Sequence, residues 1–232
     1  MIWPLRRPAL ALPDAASRAR RDALAAAPAI DADAPLDTLR WCVVDVETGG
    51  LDAARDPLLA IGALAVERGR IVLAAGVEAG LAQTQPSAAA NILVHGIGEH
   101  AQTHGLPPHQ ALLDWLEFAR GAPRVAFHAG FDRAVLERET QARLGLRPPE
   151  PWFDAAVVAA LLFPQAAPQC RHLDDWLAHF GIVAYARHDA LADAYATAEL
   201  WLVLLAALRR ENIASVRTLR RLLRGRRWLG AN

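Results

Sequence analysis

Two apolar runs with strand-like composition open the central part of the chain. The first is LRWCVVDVE, which starts at Leu39, and the second is DPLLAIGALAVERGRIVLAAGVEA, which the polar stretch ERGR interrupts at 67–70. A polar break that contains glycine, set between apolar runs, is typical of a β-hairpin. The pattern therefore predicts three consecutive strands, followed by a loop of small and polar residues at 83–90.

Helical spacing of apolar positions dominates the second half of the chain. HQALLDWLEFAR places Leu112, Leu113, Leu116 and Phe118 on a candidate core face. A short strand in PRVAFHAGFD leads to a helix that ends at Gly145, and WFDAAVVAALLFP is interpreted as a short strand followed by a helix. Further helices are predicted in HLDDWLAHFGI and, as the longest, in DALADAYATAELWLVLLAALRREN. Together these elements predict an α/β fold, in which a mixed sheet carries helices on its faces.

The two ends of the chain differ from this apolar centre. Residues 1–38 are rich in Ala, Arg, Asp and Pro, and predict an N-terminal extension with a short helix near 15–26. The compact domain spans residues 39–208, and residues 209–232 form a tail with eight arginines and one acid. This tail either contacts phosphate groups or packs as an amphipathic helix, which we favour as its structural role. The apolar positions of that helix are Val216, Leu219, Leu222 and Leu223.

Charge, cysteine content and the length of the apolar runs limit the partners and the cellular compartment that the sequence allows. Basic and acidic residues balance at 25 each, so any contact with nucleic acid has to be local. Cys42 and Cys170 have no partner at metal-ligand spacing, which favours reduced thiols. The N-terminal stretch is not apolar enough for a signal peptide, and the runs AAVVAALLF and LWLVLLAAL are too short for a bilayer. We therefore expect a cytoplasmic protein without membrane contact.

The stretch VVDVETGG, residues 43–50, places two acids in what otherwise reads as a buried strand. Asp45 and Glu47 lie two residues apart, so they project from the same face of that strand. Buried carboxylates cost free energy unless they are paired or bind a metal, and Mg²⁺ or Mn²⁺ prefers oxygen ligands of this kind. The alternative is a solvated strand end, which would be the better explanation for an isolated D-x-E pair.

Two further acids and a histidine lie at the predicted starts of helices. Asp132 ends VAFHAGFD, where a role as N-cap is the alternative. Asp193 lies in HDALADA, early in the longest helix, where an acid favours the helix dipole. His188, five residues earlier, is either a surface residue or a proton acceptor. Taken singly, each residue fits its structural role at least as well as a catalytic one.

In their order and spacing these motifs resemble the DEDDh 3′→5′ exonucleases, a family that includes the proofreading epsilon subunit of bacterial DNA polymerase III and ribonuclease T. The likeness covers residues 39–208. The matching segments are DVETG at 45–49, FD at 131–132 and HDALAD at 188–193, with Ile61-Gly62 and His95-Gly96-Ile97 in register.

The resemblance implies a ribonuclease-H-like three-layer fold, with a five-stranded mixed sheet and the four acids above it. It implies two Mg²⁺ or Mn²⁺ ions per site, roughly 3.5–4 Å apart. Asp45 would bridge both ions, Glu47 and Asp193 would hold the ion beside the attacking water, and Asp132 would support the second. His188 is the implied general base. The implied reaction releases nucleoside 5′-monophosphates from single-stranded or frayed 3′ ends of DNA or RNA.

Residues near the acids are candidates for substrate binding. Thr48 would contact the 3′ end, and His95-Gly96-Ile97 would receive the terminal nucleotide, although an ordinary turn into a helix explains the same residues. His128 is a further candidate, but it follows Phe127 where the family usually has Asn after His, so the resemblance does not define the substrate contacts near Asp132.

Two other questions stay open at the level of sequence. A catalytically silent nucleic-acid-binding or protein-interaction module on the same fold is the alternative function, and the retention of all four acids with His188 argues against it. DNA and RNA are not distinguished, because that choice depends on the shape of the pocket around the 2′-OH. No sliding-clamp peptide is evident, so association with a polymerase or clamp is not supported, and the oligomeric state is unknown.

Overall fold

A five-stranded mixed sheet forms the centre of the protein in the computed structural model, which describes residues 12–87, 92, 96–148, 150–185 and 187–229. The strand order is β3-β2-β1-β4-β5. β1 pairs antiparallel with β2, and β2 with β3, whereas β1–β4 and β4–β5 are parallel. The strands are β1 Arg40–Thr48, β2 Leu58–Glu67, β3 Arg70–Gly80, β4 Arg124–Ala126 and β5 Trp152–Asp154.

Helices cover both faces of this sheet, so the predicted α/β architecture is confirmed. The short strand and helix predicted in WFDAAVVAALLFP are β5 and the helix that follows it. The described helices are α1 Ala15–Ala25, α2 Glu99–Thr103, α3 Pro108–Phe118, α4 Gly130–Leu144, α5 Ala155–Leu162, α6 Leu173–Phe180, α7 Ala190–Arg210 and α8 Val216–Leu229.

The side chains of β1 alternate between two hydrophobic cores. Cys42, Val44 and Val46 lie in the core that β1 shares with α3 and α4. Trp41 and Val43 lie in the core on the other face, with α5, α6 and α7. Because successive side chains of a strand point to opposite faces, the two acids that follow on β1 continue the Trp41 and Val43 face, toward α7.

Helix α7 is the central helix of that second face. Its 21 residues are long and apolar enough to cross a membrane by length and composition alone. It packs on β1 and β2, however, and more than half of its most apolar window is buried. Trp201, Leu204 and Leu208 are among its buried residues. A core helix meets the same length and composition criteria, and α7 is built as one.

Both ends of the described chain pack on the domain. Arg20 of α1 donates to Glu117 of α3 at 2.8 and 2.7 Å and to Asp114 at 2.6 Å. In α8, Val216 and Leu219 are buried, and Leu223 packs against the second core. The fourth apolar position predicted to pack there, Leu222, is instead 38% exposed, because it lies beside the stripe that the other three form.

Candidate active site

Three carboxylates converge where β1 ends. Asp45 and Glu47 of β1 and Asp193 of α7 each offer an oxygen atom, and these atoms all lie within 4.8 Å of one another. Asp193 is buried, at 7% exposure, and the two strand acids are partly buried. The predicted convergence of these three acids is therefore seen in the structure. Three carboxylate oxygens at this spacing form a donor set of the kind that hard divalent cations prefer.

The close approach of α7 to the sheet brings Asp193 to the strand acids. Gly62 of β2 lies opposite Asp45 in the strand register. The first residue of α7, Ala190, packs against Gly62 so closely that any larger residue on β2 would collide with it. The helix begins after Asp189, whose side chain accepts a hydrogen bond of 2.8 Å from the Ala192 N–H. Its first turn, which carries Asp193, consequently lies beside β1 and β2.

Asp132 reaches the same strand end from α4. It is 5% exposed, and its Oδ1 accepts a hydrogen bond of 3.1 Å from the backbone N–H of Val46, which lies between the two strand acids. Its charge raises the pKa of Asp45, so the two carboxylates interact, although Asp132 is not part of the group within 4.8 Å. The alternative role as an N-cap is wrong, because the N-cap of α4 is Ala129 and Asp132 lies in the first helical turn.

Burial and mutual repulsion raise the pKa values of these acids. The pKa of Asp45 is raised well above its ordinary value by burial, and further by the charges of Asp132, Asp193 and Glu47. Burial and nearby carboxylates raise the pKa of Glu47 to about 7. Burial also raises the pKa of Asp132 to about 7, against the hydrogen bonds that favour its ionised form. The negative charge of these acids is therefore not fully compensated within the protein, and a bound cation would compensate the remainder.

Arg187 supplies positive charge beside the cluster and was not predicted from the sequence. Its Nη1 donates to Oδ1 of Asp193, and its Nε lies 2.8 Å from Oδ1 of Asp174 in α6. The pKa of Asp193 is raised by burial, and Arg187 opposes that rise most strongly. The only signal in the sequence is that Arg187 directly precedes His188. In a chain whose 25 basic residues are all arginines, that signal is weak.

His188 lies at the start of α7 in an unusual backbone conformation. The residue is exposed and has a φ of 60°, in the left-handed region that residues other than glycine rarely adopt. Its backbone N–H donates to Oδ2 of Asp193 at 3.1 Å. Left-handed residues of this kind cluster at functional sites, where surrounding contacts hold them. The backbone of His188 is therefore tied to the acid cluster, while the residue stays accessible to solvent.

Two of the predicted substrate-binding residues, Thr48 and His128, make contacts within the protein. The Thr48 hydroxyl donates to the backbone oxygen of Gly50 at 2.6 Å and shapes the turn after β1. His128 is exposed, with a φ of 56°, and its N–H donates to Asp154 at 3.1 Å. Its Nε2 lies 3.0 Å from the backbone oxygen of Arg171. Asp154 was not predicted to matter here, although an Asp before AAVV is typical of the N-cap that it forms for α5.

The segment predicted to receive the terminal nucleotide is described in part. Gly96 is exposed and has a φ of 67°, a conformation that glycine adopts at little cost. Ile97 is partly buried, and its backbone oxygen accepts a hydrogen bond of 2.8 Å from Gln102. His95 lies outside the described residues.

The sequence matches an exonuclease family profile and is similar to proteins named for bacterial DNA polymerase III. The sequence profile of the exonuclease family matches residues 42–201. A DNA polymerase III subunit epsilon-like protein of Rhodobacter capsulatus is 33% identical over 187 residues, which cover 79% of this chain and 26% of that protein. The PolC-type DNA polymerase III of Caldanaerobacter subterraneus is 28% identical over 176 residues, which cover 76% of this chain and 12% of the relative. This chain thus spans about a quarter or less of the length of these relatives.

Solved structures show the same fold. Exonuclease I superposes with a TM-score of 0.62 at 15% identity, over 74% of this chain and 43% of that one. Exonuclease X in complex with 5′-overhanging duplex DNA superposes with a TM-score of 0.56 at 23% identity, over 72% and 91%. The predicted ribonuclease-H-like fold is confirmed by these matches. Since the family profile covers most of the compact domain, including all four acids and His188, the chain belongs to the exonuclease family.

Proposed function

We propose that this protein is a metal-dependent 3′→5′ exonuclease, which hydrolyses the terminal phosphodiester of DNA or RNA and releases nucleoside 5′-monophosphates. The convergence of Asp45, Glu47 and Asp193 within 4.8 Å carries the proposal. Stability alone does not favour this cluster, because burial, and then the charges of neighbouring carboxylates, disfavour the ionised forms of Asp45 and Glu47 and raise their pKa values. Such a grouping is expected where the carboxylates have a chemical role.

The acids fit Mg²⁺ or Mn²⁺ as cofactors. Their oxygens are hard donors, and the pKa values, raised by burial and by neighbouring acids, indicate negative charge that the protein compensates only in part. Asp45, Glu47 and Asp193 would hold one ion, and Asp45 together with Asp132 would hold a second. When bound, such a pair supplies Lewis-acid activation of water and neutralises the charge that develops on the scissile phosphodiester.

His188 would accept the proton of the attacking water. Histidine changes its protonation state near neutral pH, which suits a residue that takes up and releases a proton in each cycle. The hydrogen bond of 3.1 Å from its N–H to Asp193 fixes its backbone beside the acids. Its exposure lets the proton pass on to bulk solvent. Substitution of the ring would therefore affect proton transfer while the acid cluster remains.

Single-stranded or frayed 3′ ends are the substrates that we infer. Exonuclease I with a dT13 oligonucleotide and exonuclease X with 5′-overhanging duplex DNA share the fold and support this choice. Thr48, His128 and the segment around Gly96 and Ile97 would line the path of the 3′ end. We expect the activity in the cytoplasm, and association with a polymerase is not part of the proposal.

End-labelled oligonucleotides test this function directly. With Mg²⁺ or Mn²⁺, a 3′-labelled single strand should release its label first as a mononucleotide, whereas a 5′-labelled strand should give a ladder of shortening products. DNA and RNA strands of the same sequence would be compared, and EDTA should stop both reactions. The Asp45→Asn protein, purified in parallel, controls for contaminating nucleases. Degradation that persists in EDTA, or that starts from the 5′ end, would contradict the proposal.

A further inference from the structure

Both carboxylate oxygens of Asp193 already have partners inside the protein. Oδ1 accepts a hydrogen bond from Nη1 of Arg187, and Oδ2 accepts one from the backbone N–H of His188 at 3.1 Å. The N–H of His188 belongs to the main chain that leads into α7, so it cannot move away on its own. The Arg187 guanidinium is at the end of a flexible side chain that is 31% exposed. A cation that binds Asp193 will therefore displace the guanidinium first.

We propose that Arg187 is the resident cation of the acid cluster in the metal-free protein, and that a divalent ion has to displace it from Asp193. This inference rests on the proposed function, because it takes the three acids as metal ligands. Arg187 acts through Asp193, so it is a positioning residue that sets how readily the site fills. It would make metal-free protein more stable and metal binding weaker than the acids alone would allow.

The charge of Arg187 extends over the whole cluster. It favours the ionised forms of Asp45 and Glu47 as well as that of Asp193. A divalent ion would supply the same compensation at the same oxygens, and the two cations would repel each other at this short range. Simultaneous occupation of Asp193 by the guanidinium and a metal ion is therefore unfavourable, and the two compete.

Asp174 gives the displaced guanidinium a second partner. Its Oδ1 lies 2.8 Å from Nε of Arg187, and its side chain is 61% exposed, outside the acid cluster. In the described structure that Nε–H makes no hydrogen bond, although it is buried. A rotation of the guanidinium away from Asp193 would let it align with Asp174. Displacement from Asp193 thus removes one of two ion pairs and leaves the arginine paired with Asp174.

Calorimetric titration with Mn²⁺ alone, without nucleic acid, tests the exchange. The full chain would be compared with Arg187→Met, which keeps the length of the side chain and removes its charge. Arg217→Met is the matched control, since Arg217 lies on α8, pairs with Asp33 at 2.6 Å and, in the part of the chain that the structure describes, forms no ion pair with the acid cluster. We expect Mn²⁺ to bind Arg187→Met about tenfold more tightly than the wild type, which is the scale of a competing hydrogen bond between charged groups. The Mn²⁺ affinity of Arg217→Met should equal that of the wild type. Unchanged or weaker binding by Arg187→Met would overturn the inference.

Thermal unfolding provides the second readout. In EDTA, Arg187→Met should unfold at a lower temperature than Arg217→Met, and saturating Mn²⁺ should raise its unfolding temperature by more than it raises that of the wild type. If Arg187→Met does not fold, Arg187→Lys replaces it, and its Mn²⁺ affinity should exceed that of the wild type, because a single ammonium cannot hold Asp193 and Asp174 together. Failure of all these proteins to bind Mn²⁺ would overturn the inference. If the Mn²⁺ titrations show the exchange but the wild-type protein degrades no oligonucleotide, the proposed function is contradicted and the inference about Arg187 is not.

Discussion

Gly62 of β2 lies so close to the backbone of Ala190 that there is no room for a side chain at this position. A Cβ atom placed at Gly62 would lie 2.1 Å from the Ala190 carbonyl carbon. Real Cβ atoms essentially never come so close to another heavy atom. Since Gly62 is also the strand partner of Asp45, the start of α7 meets the sheet directly beside the acids. The distance between β1 and Asp193 therefore depends on a glycine that has no chemical role of its own.

Substitution of Gly62 should damage both stability and the site. Gly62→Ala is expected to lower the free energy of unfolding by about 1–3 kcal/mol, the usual range for overpacking a dense contact. It should also weaken Mn²⁺ binding, because α7 has to move away from β2 and takes Asp193 with it. Gly80→Ala on β3 is the control, since that position has open space and no positive φ. Equal effects of the two substitutions, in denaturant titration and calorimetry, would show that the contact with Ala190 is unimportant.

Removal of the Asp45 charge should make the metal-free protein more stable and abolish turnover. Burial and the neighbouring acids raise the pKa of Asp45, so its ionised form opposes folding at neutral pH. Asp45→Asn is expected to raise the unfolding temperature in EDTA, to abolish turnover and to reduce the stabilisation by Mn²⁺. The exposed acid Asp37 offers a control, and Asp37→Asn should change none of the three. Asp45→Asn protein with wild-type turnover would remove Asp45 from the metal site.

The metal-free protein should become less stable as the pH rises toward 7. The folded-state pKa values of Glu47 and Asp132 are about 7, above their ordinary values of 4.5 and 3.8. Between those limits the folded protein holds protons that the unfolded chain releases, so these two residues make the free energy of unfolding fall as the pH rises, and their contribution levels off above about 7. The pKa values of Asp14 and Asp33 are lowered instead, and their contribution changes only below this window.

Denaturant titration in EDTA at a series of pH values measures this slope. Glu47→Gln should flatten it, and saturating Mn²⁺ at high pH should restore the stability that ionisation removes. A free energy of unfolding that rises between about pH 5 and 7 would have the wrong sign for acids with raised pKa values.

His188 should contribute to turnover through its ring. Loss of a general base typically costs ~10²–10⁴-fold in rate, and His188→Ala should lose this much in single-turnover cleavage while it binds Mn²⁺ as the wild type does. Metal binding should persist because the hydrogen bond to Asp193 comes from the backbone. His188→Gly separates the ring from the backbone, since glycine accepts the φ of 60° without strain. Recovery of activity in His188→Gly, or a loss of less than about threefold in His188→Ala, would exclude the ring as the base.

The pattern of the sequence was sufficient where local periodicity decides the structure. The alternation in VVDVE put Asp45 and Glu47 on one face of a strand, and the structure confirms it. Asp193 is different, because nothing local says that the first turn of α7 will lie over β1, and its place was predicted only from the resemblance to a family. Arg187 could not be predicted at all, since its ion pair with Asp174 depends on how α6 and α7 meet in space.

The hydrogen bond between Val46 and Asp132 joins residues that are 86 positions apart. Asp193, on α7, lies farther still along the chain from β1. Contacts of such separation form only after long segments of chain have closed on one another, which makes them late and slow events in folding. A newly synthesised chain therefore has no complete acid cluster until α7 has emerged and packed on β1 and β2. An unfinished chain without α7 therefore lacks one of the three carboxylates that converge within 4.8 Å.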